Sequence, residues 1–403
     1  MPKKKIPFGT ISIPQKSKDL INMALDETMV SCGRMVREFE RKFAELLGTT
    51  HAVAVATGTD ADALALAVLH DLGAQPDDEV IIPSLSFVAT GNAVLHARLT
   101  PKFVDIDRST LNIDVSKIEA AITNKTKAIM PVHLMGKPAE MDTIMRIADK
   151  YDLLVVEDAA EAHGMLYKGK PAGTIGHLGA FSLYVAHIIT TIEGGIITCN
   201  SDKYAELLRS MRSHGRACSC VTCTLSSTQT YCPKRFDPET GEDVRFTFPR
   251  VGYSCKMNEL EAAVGLGNIE MYDKIVETRY ANLKYVIDRF DRFAPYLSTI
   301  REEEWERIGP HAIPIIINEV ASFSRAEFTN YLELNGIETR TLFQSMPTQC
   351  PGFGYLGYKE GDFPVAEYMG KYGLHIGCHH DLTLEHMAYF LDHVDRFLTS
   401  HQN

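Results

Sequence analysis

The sequence predicts an α/β protein in which a large N-terminal domain contains a mostly parallel sheet and a smaller α/β domain follows it. Short apolar segments alternate with helical patterns through the first half of the chain, which is typical of stacked βαβ units. The alternation is lost from residue 215 to about 249, and a long helical stretch then leads into further α/β patterns. We therefore place the large domain at residues 1–255 and the smaller domain at 256–403.

The individual elements follow from the spacing of apolar residues. Runs of four to six apolar residues between turn residues predict strands, and apolar residues recurring three and four apart predict helices. In chain order the sequence predicts a strand at 51–56, a helix at 60–72, a strand at 79–83, a helix at 87–96, a strand at 128–132, a helix at 139–151, strands at 153–157, 181–184 and 195–199, a helix at 201–214, a long helix at 258–290, a strand at 312–317 and a helix at 381–398.

Composition and charge favour an ordinary soluble protein over a nucleic-acid-binding or membrane protein. Among 403 residues, 45% are hydrophobic and 23% are charged, as in ordinary soluble domains. A net charge of -11 disfavours non-specific binding to nucleic acid or acidic lipid. The first residues are basic but no apolar run follows them, and no run is long enough to cross a bilayer. We expect a cytoplasmic protein.

A Thr-Gly-Thr-Asp turn at residues 57–60 lies between a predicted strand and a predicted helix. Free backbone N–H groups at the start of a helix bind phosphate, so Gly58 and Thr59 are candidate phosphate ligands. Taken alone, the turn is better explained as an ordinary helix N-cap.

Acidic residues end the apolar run at residues 153–156. Open α/β sheets bind ligands at the carboxyl ends of their strands, so Asp158 and Glu161 are candidate ligand-binding residues. A helix cap at the end of the strand would also explain Asp158.

Four of the nine cysteines lie close together in the irregular stretch, in the pattern C-x-C-x2-C-x8-C. They are Cys218, Cys220, Cys223 and Cys232. Such a group of thiolates suits a 2Fe-2S cluster or a structural zinc ion, and a long chain without a secretory signal disfavours a disulfide framework. We predict the cluster, with zinc or an unligated loop as the alternatives.

At position 187 a histidine stands where the surrounding sequence motif normally has a lysine. His187 follows Ser182 by five residues and precedes a Glu-Gly-Gly sequence by six. The segment 179–195 resembles the cofactor-lysine segment of the DegT/DnrJ/EryC1/StrS family, the sugar aminotransferases that use pyridoxal phosphate (PLP). Imidazole can move protons near neutral pH but cannot hold a carbonyl cofactor as a Schiff base. The exchange predicts altered chemistry on a retained scaffold.

The resemblance implies fold type I of the PLP-dependent transferases, like aspartate aminotransferase, and a homodimer. It implies that Asp158 pairs with the pyridinium nitrogen of the cofactor. The other cofactor contacts that it implies are Gly58, Thr59 and Ser182 at the phosphate, Phe87 against the ring, Glu161, and Ser254 at the phosphate of the partner subunit's cofactor.

The cysteine pattern and the histidine together resemble the CDP-4-keto-6-deoxyglucose-3-dehydrase branch of this family. The branch implies pyridoxamine phosphate (PMP) held without a covalent bond, and a nucleotide-linked 4-keto-6-deoxy sugar as substrate. It implies that His187, with an ordinary pKa near 6.5, is the general base for dehydration. Electrons would reach the 2Fe-2S cluster from a separate reductase or ferredoxin.

The chain departs from the family pattern at several positions. Ser254 stands where the family usually has asparagine, Ile188 where many dehydrases have a second histidine, and Ile192 where the family has glycine. These departures concern the sugar and the carbon that loses oxygen, and they leave the fold prediction unchanged.

Three other functions compete with the dehydratase. An ordinary sugar aminotransferase needs a lysine, and none occurs between Lys170 and Lys203. A 3-dehydratase without a cluster, similar to the GDP-4-keto-6-deoxymannose enzyme, would regenerate PMP with glutamate. A lapsed enzyme acting as a regulator would not need to keep Asp158 and Ser182.

Overall fold

The computed structural model describes residues 5–28, 30–218, 220, 223 and 231–401. Within these ranges the strands are β1 His51–Val55, β2 Glu79–Pro83, β3 Thr100–Val104, β4 Thr126–Ile129, β5 Leu154–Asp158, β6 Leu166–Tyr167, β7 Lys170–Pro171, β8 Leu178–Ser182, β9 Gly195–Cys199, β10 Leu297–Ser298, β11 Glu306–Arg307, β12 Ala312–Ile317, β13 Thr339–Thr341 and β14 Gly373–Gly377.

The α-helices of the same ranges alternate with the strands. They are α1 Gln15–Asp26, α2 Arg34–Leu47, α3 Gly58–Asp71, α4 Val88–His96, α5 Val115–Ala121, α6 Met141–Tyr151, α7 Asp202–Met211, α8 Glu259–Glu270, α9 Tyr272–Ile287, α10 Arg325–Leu334, α11 Met346–Gln349, α12 Pro364–Tyr372 and α13 Leu384–His401. Among the described helices, none is long and apolar enough to span a membrane.

A seven-stranded sheet forms the centre of the N-terminal part, in the order β1-β9-β8-β5-β4-β2-β3. β9 is antiparallel to both neighbours, and the other six strands share one direction. Val53 and Val55 of β1 enter one apolar cluster, whereas Ala52 and Ala54 enter another. Because side chains alternate between the faces of a strand, the sheet is covered on both faces. The predicted, mostly parallel sheet is confirmed.

The C-terminal part contains a second, antiparallel sheet in the order β10-β12-β14-β13. A three-stranded sheet, β11-β6-β7, joins Glu306–Arg307 to the hairpin that follows β5. The segment that precedes β12 contacts the N-terminal part, where the backbone N–H of Gly309 donates to Gly136 O at 2.8 Å.

Two sequence predictions differ from the structure for physical reasons. The predicted helix at 258–290 is two helices, because Met271 leaves the helical region with φ -101° and ψ 2° between α8 and α9. β3 is absent from the predictions, since Pro101 and Lys102 interrupt its apolar pattern. Its position at the edge of the sheet explains why a proline is tolerated there.

Candidate active site

The predicted ligand-binding residues meet at one edge of the central sheet. Asp158 is the last residue of β5 and Ser182 is the last residue of β8. The 57–60 turn begins two residues after β1 ends. Since these three strands run in the same direction, their carboxyl ends lie together at the edge where α/β sheets bind ligands.

The 57–60 turn caps α3 and packs against the end of β8. Thr57 Oγ1 accepts the backbone N–H of Asp60 at 3.0 Å, so Thr57 is the N-cap of the helix. Gly58 lies so close to Ser182 that a Cβ on Gly58 would be 2.6 Å from Ser182 Cβ. The two predicted phosphate contacts are therefore adjacent, with the first turn of α3 beside the Ser182 hydroxyl. The N-cap and phosphate explanations of the turn are compatible.

Replacing Gly58 by alanine should disturb both the fold and the phosphate site. The added methyl group would overlap Ser182, and such overpacking typically lowers the free energy of unfolding by about 1–3 kcal/mol. Thermal unfolding of the cofactor-free protein measures the loss. Gly9→Ala is the matched control, because a Cβ there meets nothing within 4 Å. Adding Ser182→Gly should restore part of the stability, and a Gly58→Ala protein as stable as the control would contradict the contact.

Asp158 is a buried acid suited to a cationic ligand. Its side chain is 4% exposed, and Thr90 Oγ1 donates to Oδ2 at 2.7 Å while the Ala160 N–H donates to Oδ1 at 3.2 Å. Burial raises the pKa of Asp158. Within the described ranges, no lysine or arginine forms an ion pair with Asp158. A protonated pyridine nitrogen would supply the missing positive charge, so the residues fit the pyridine ring of PMP.

A second buried acid, Asp62, lies on α3 and was not singled out from the sequence. It is 3% exposed, and its Oδ1 has no hydrogen-bond partner among the residues that the structure describes. Burial, followed by the charge of Asp158, raises the pKa of Asp62 well above its ordinary value. The signal in the sequence was an aspartate inside an Ala- and Leu-rich helix, where an acid on the buried face is rare without a partner.

Glu161 is buried beside a histidine from the segment that precedes β12. Its Oε2 accepts the Met135 N–H at 2.7 Å, and its Oε1 lies 3.3 Å from His311 Nε2. Burial raises the pKa of Glu161 to about 8. A carboxylic acid that keeps its proton near neutral pH can donate a hydrogen bond, either to the imidazole or to a ligand.

His187 lies on the connection between β8 and β9, near the same edge. Its backbone N–H donates to Tyr184 O at 2.9 Å, and its ring Nδ1 is buried without a partner. The ring of His311 meets it edge to face, with 5.2 Å between centroids. Burial, reinforced by the charge of Arg279, lowers the pKa of His187 to about 4. This pKa lies below the ordinary value near 6.5 used for the prediction, because the sequence does not show which residues surround the ring.

The remaining predicted cofactor contacts are Thr59, Phe87 and Ser254. Thr59 is in the first turn of α3. Phe87 is 57% exposed and its ring centroid is 5.6 Å from that of Phe343, so one face remains available to a ligand. Ser254 is exposed and pairs with Ser213 through a β-bridge. Its proposed contact with the partner subunit's cofactor stays a prediction.

The four clustered cysteines are not grouped as a metal-ligand set in the part of the chain that the structure describes. No disulfide joins any of the four to another described cysteine, and Cys220 is exposed. Burial raises the pKa of Cys220, and Cys218 and Cys232 add to the effect, so these thiols are neighbours. Across the part of the chain that the structure describes, no three His, Cys, Asp or Glu side chains are grouped to hold a metal ion. The described residues therefore give no support to the predicted 2Fe-2S cluster or to a zinc ion.

Comparison with known proteins identifies the family of the chain. The model of the DegT/DnrJ/EryC1/StrS aminotransferase family matches residues 12–395. The chain belongs to this family. As in its structural relatives, the fold is that of the fold type I PLP enzymes, which confirms the predicted fold class.

Individual family members include both aminotransferases and dehydratases. GDP-perosamine synthase of Caulobacter vibrioides is 35% identical over 385 residues, which are 94% of this chain and 95% of the relative. Lipopolysaccharide biosynthesis protein RfbH of Salmonella typhimurium is 32% identical over 402 residues, covering 97% and 91%. The structure of E. coli GDP-4-keto-6-deoxy-D-mannose-3-dehydratase with bound hydrated PLP has a TM-score of 0.86 and 27% identity, covering 97% of this chain and 100% of the other.

Proposed function

We propose that this protein is a PMP-dependent dehydratase of a nucleotide-linked 4-keto-6-deoxy sugar that works without an iron–sulfur cluster. The observation that carries the proposal is His187, which occupies the position of the family's cofactor lysine and has a buried, unpartnered ring nitrogen. A histidine there can accept a proton but cannot tether the cofactor. The E. coli 3-dehydratase, whose fold matches over the whole of its chain, supports this reaction type.

When bound, PMP supplies an amine that condenses with the sugar ketone and a ring that accepts electrons. Asp158 would hold a proton at the pyridine nitrogen, and the first turn of α3 with Ser182 would hold the phosphate. Neutral His187 would accept a proton from the cofactor carbon that carries the amine and could return it to the departing sugar hydroxyl, so that the hydroxyl leaves as water. A pKa of about 4 keeps His187 neutral throughout the physiological range. The homodimer and the role of Ser254 at the partner's phosphate are part of this proposal.

Amine transfer is the competing reaction, and the 35% identity to GDP-perosamine synthase favours it. It needs a lysine that forms a covalent link with PLP. Reduction with borohydride in the presence of PLP, followed by peptide mass spectrometry, tests this point. We expect no modified lysine, and a reduced PLP adduct on any lysine would exclude an untethered cofactor.

A direct assay separates the two reactions. Purified protein is incubated with PMP, glutamate and GDP-4-keto-6-deoxy-D-mannose, the substrate in the name of the E. coli relative. We expect a sugar product that lacks one oxygen atom, with glutamate consumed to regenerate PMP. An amino sugar as the main product would establish amine transfer and contradict the proposal. A dTDP- or CDP-linked 4-keto sugar tests the choice of nucleotide.

A cluster-assisted reductive dehydratase is the second candidate, favoured by the four neighbouring cysteines. It would also need a reductase or ferredoxin as partner. Anaerobic purification with iron, sulfide and zinc analysis decides between the two. We expect protein without stoichiometric iron to be fully active with glutamate. Two iron and two sulfide per chain, with activity lost on their removal, would establish the second candidate instead.

A further inference from the structure

A buried arginine joins the segment that carries His187 to the segment that carries His311. Arg279 lies on α9 and is 2% exposed. One guanidinium nitrogen, Nη2, donates to His187 O at 3.3 Å, and the other, Nη1, donates to Pro310 O and His311 O, each at 3.3 Å. The planar guanidinium thus holds two backbone segments that are distant in sequence.

The burial of this charge needs an explanation. In the described part of the chain, Arg279 forms no ion pair with a carboxylate. Besides burial, its pKa responds first to the Cys378 side chain, which also hydrogen-bonds with it, and then to Asp381. Burial lowers the pKa of the Arg279 guanidinium. A buried cation satisfied mainly by carbonyl groups is unfavourable compared with an apolar side chain of similar size. Its position beside His187 suggests that the fold keeps it for the site.

We propose that Arg279 is a positioning residue for His187, which fixes the backbone of the two segments so that the His187 and His311 rings meet edge to face. The ring planes are 78° apart at a centroid distance of 5.2 Å. Among the described residues, Nδ1 of each ring is buried without a hydrogen-bond partner. The inference rests on the proposed function, in which His187 is the base.

Arg279 also affects the protonation of His187. The titratable and charged groups around that ring are Arg279 from α9, His311 from the segment before β12, His163 from the segment after β5, and Tyr184 from its own segment. Burial is the larger cause of the low pKa of His187, and the positive charge of Arg279 adds to it. Removing this charge therefore raises the pKa of His187, and a base with a higher pKa becomes protonated, and inactive, at a higher pH.

Two substitutions separate charge from geometry. Arg279→Met removes both, whereas Arg279→Lys keeps the charge and loses the planar fork. The pKa of His187 is followed by NMR of its ring C2–H, assigned by comparison with His187→Asn. We expect Arg279→Met to raise this pKa and to move the acid limb of the kcat profile upwards. Arg279→Lys should keep the low pKa but lower kcat by about 10²-fold with KM unchanged, since small misplacements of a catalytic group have effects of that size.

The matched control is Arg289→Met, an exposed arginine just after α9 that donates to Tyr285 O. It should change neither the pKa nor kcat. A folded Arg279→Met protein with an unchanged His187 pKa, or an Arg279→Lys protein with unchanged kcat, would overturn the proposal. If Arg279→Met does not fold, Arg279→Lys decides alone. The NMR titration needs no turnover, so it tests this inference separately from the proposed function. If the enzyme proves to transfer amines and Arg279→Met still shifts the pKa of His187, the proposed function fails while the effect of Arg279 on His187 stands.

Discussion

His187→Asn should abolish dehydration while PMP remains bound. Asparagine keeps a polar side chain of similar reach but cannot accept and release a proton near neutral pH. The loss of a general base typically lowers the rate by about 10²–10⁴-fold, and we expect a loss of dehydration in that range. Single-turnover dehydration and PMP binding by absorbance give the two measurements.

His96→Asn is the control for this experiment, since His96 is exposed at the end of α4. A His187→Asn protein that dehydrates the sugar at the wild-type rate would show that another group is the base.

The companion change, His187→Lys, restores the family's residue. It should give a PLP adduct that borohydride fixes at position 187, together with a gain of amine transfer.

Asp158→Asn should lower kcat about 10³-fold and weaken PMP binding. The amide can still accept the Thr90 hydroxyl, which now donates to Oδ2 at 2.7 Å. It carries no negative charge, however, and so cannot keep the pyridine nitrogen protonated, which removes the electron-accepting character of the ring. Without the carboxylate, the positive charge of the ring would be buried with no opposite charge beside it, which weakens PMP binding further. Equilibrium dialysis of PMP and single-turnover rates measure the two effects.

Asp142→Asn serves as the control, because Asp142 is an exposed acid paired with Lys168. It should leave PMP affinity and kcat unchanged. Wild-type affinity and turnover in Asp158→Asn would mean that the ring is not held at this carboxylate. An Asp158→Asn protein that binds PMP tightly but turns over slowly would still agree with Asp158 at the pyridine nitrogen. It would show that Asp158 contributes to the reaction rate and not to PMP affinity.

Sequence alone predicted the parts of this site that follow from local patterns. The acids at the end of β5 follow an apolar run, and the 57–60 turn has its own signature. The adjacency of Gly58 and Ser182 agrees with the family resemblance, which assigned both to one phosphate. The helix break at Met271 was missed, because neither glycine nor proline marks it.

The histidines around His187 could not be predicted. His163 and His311 come from different elements, and only the packing of the small sheet against the central one brings His311 to Glu161 and His187. The low pKa of His187 depends on the same packing. A single sequence shows neither, since it contains no local signal for burial by residues far along the chain.

The reversed direction of β9 has an evolutionary consequence. Ser182 and Gly195, which flank the segment containing His187, are paired opposite each other in the β8–β9 register. Both ends of that segment are thus anchored to adjacent strands, and its length is fixed by them. Reaction type can then diverge by exchange of one side chain on an unchanged scaffold, so overall similarity to a relative is a poor guide to which product a family member makes.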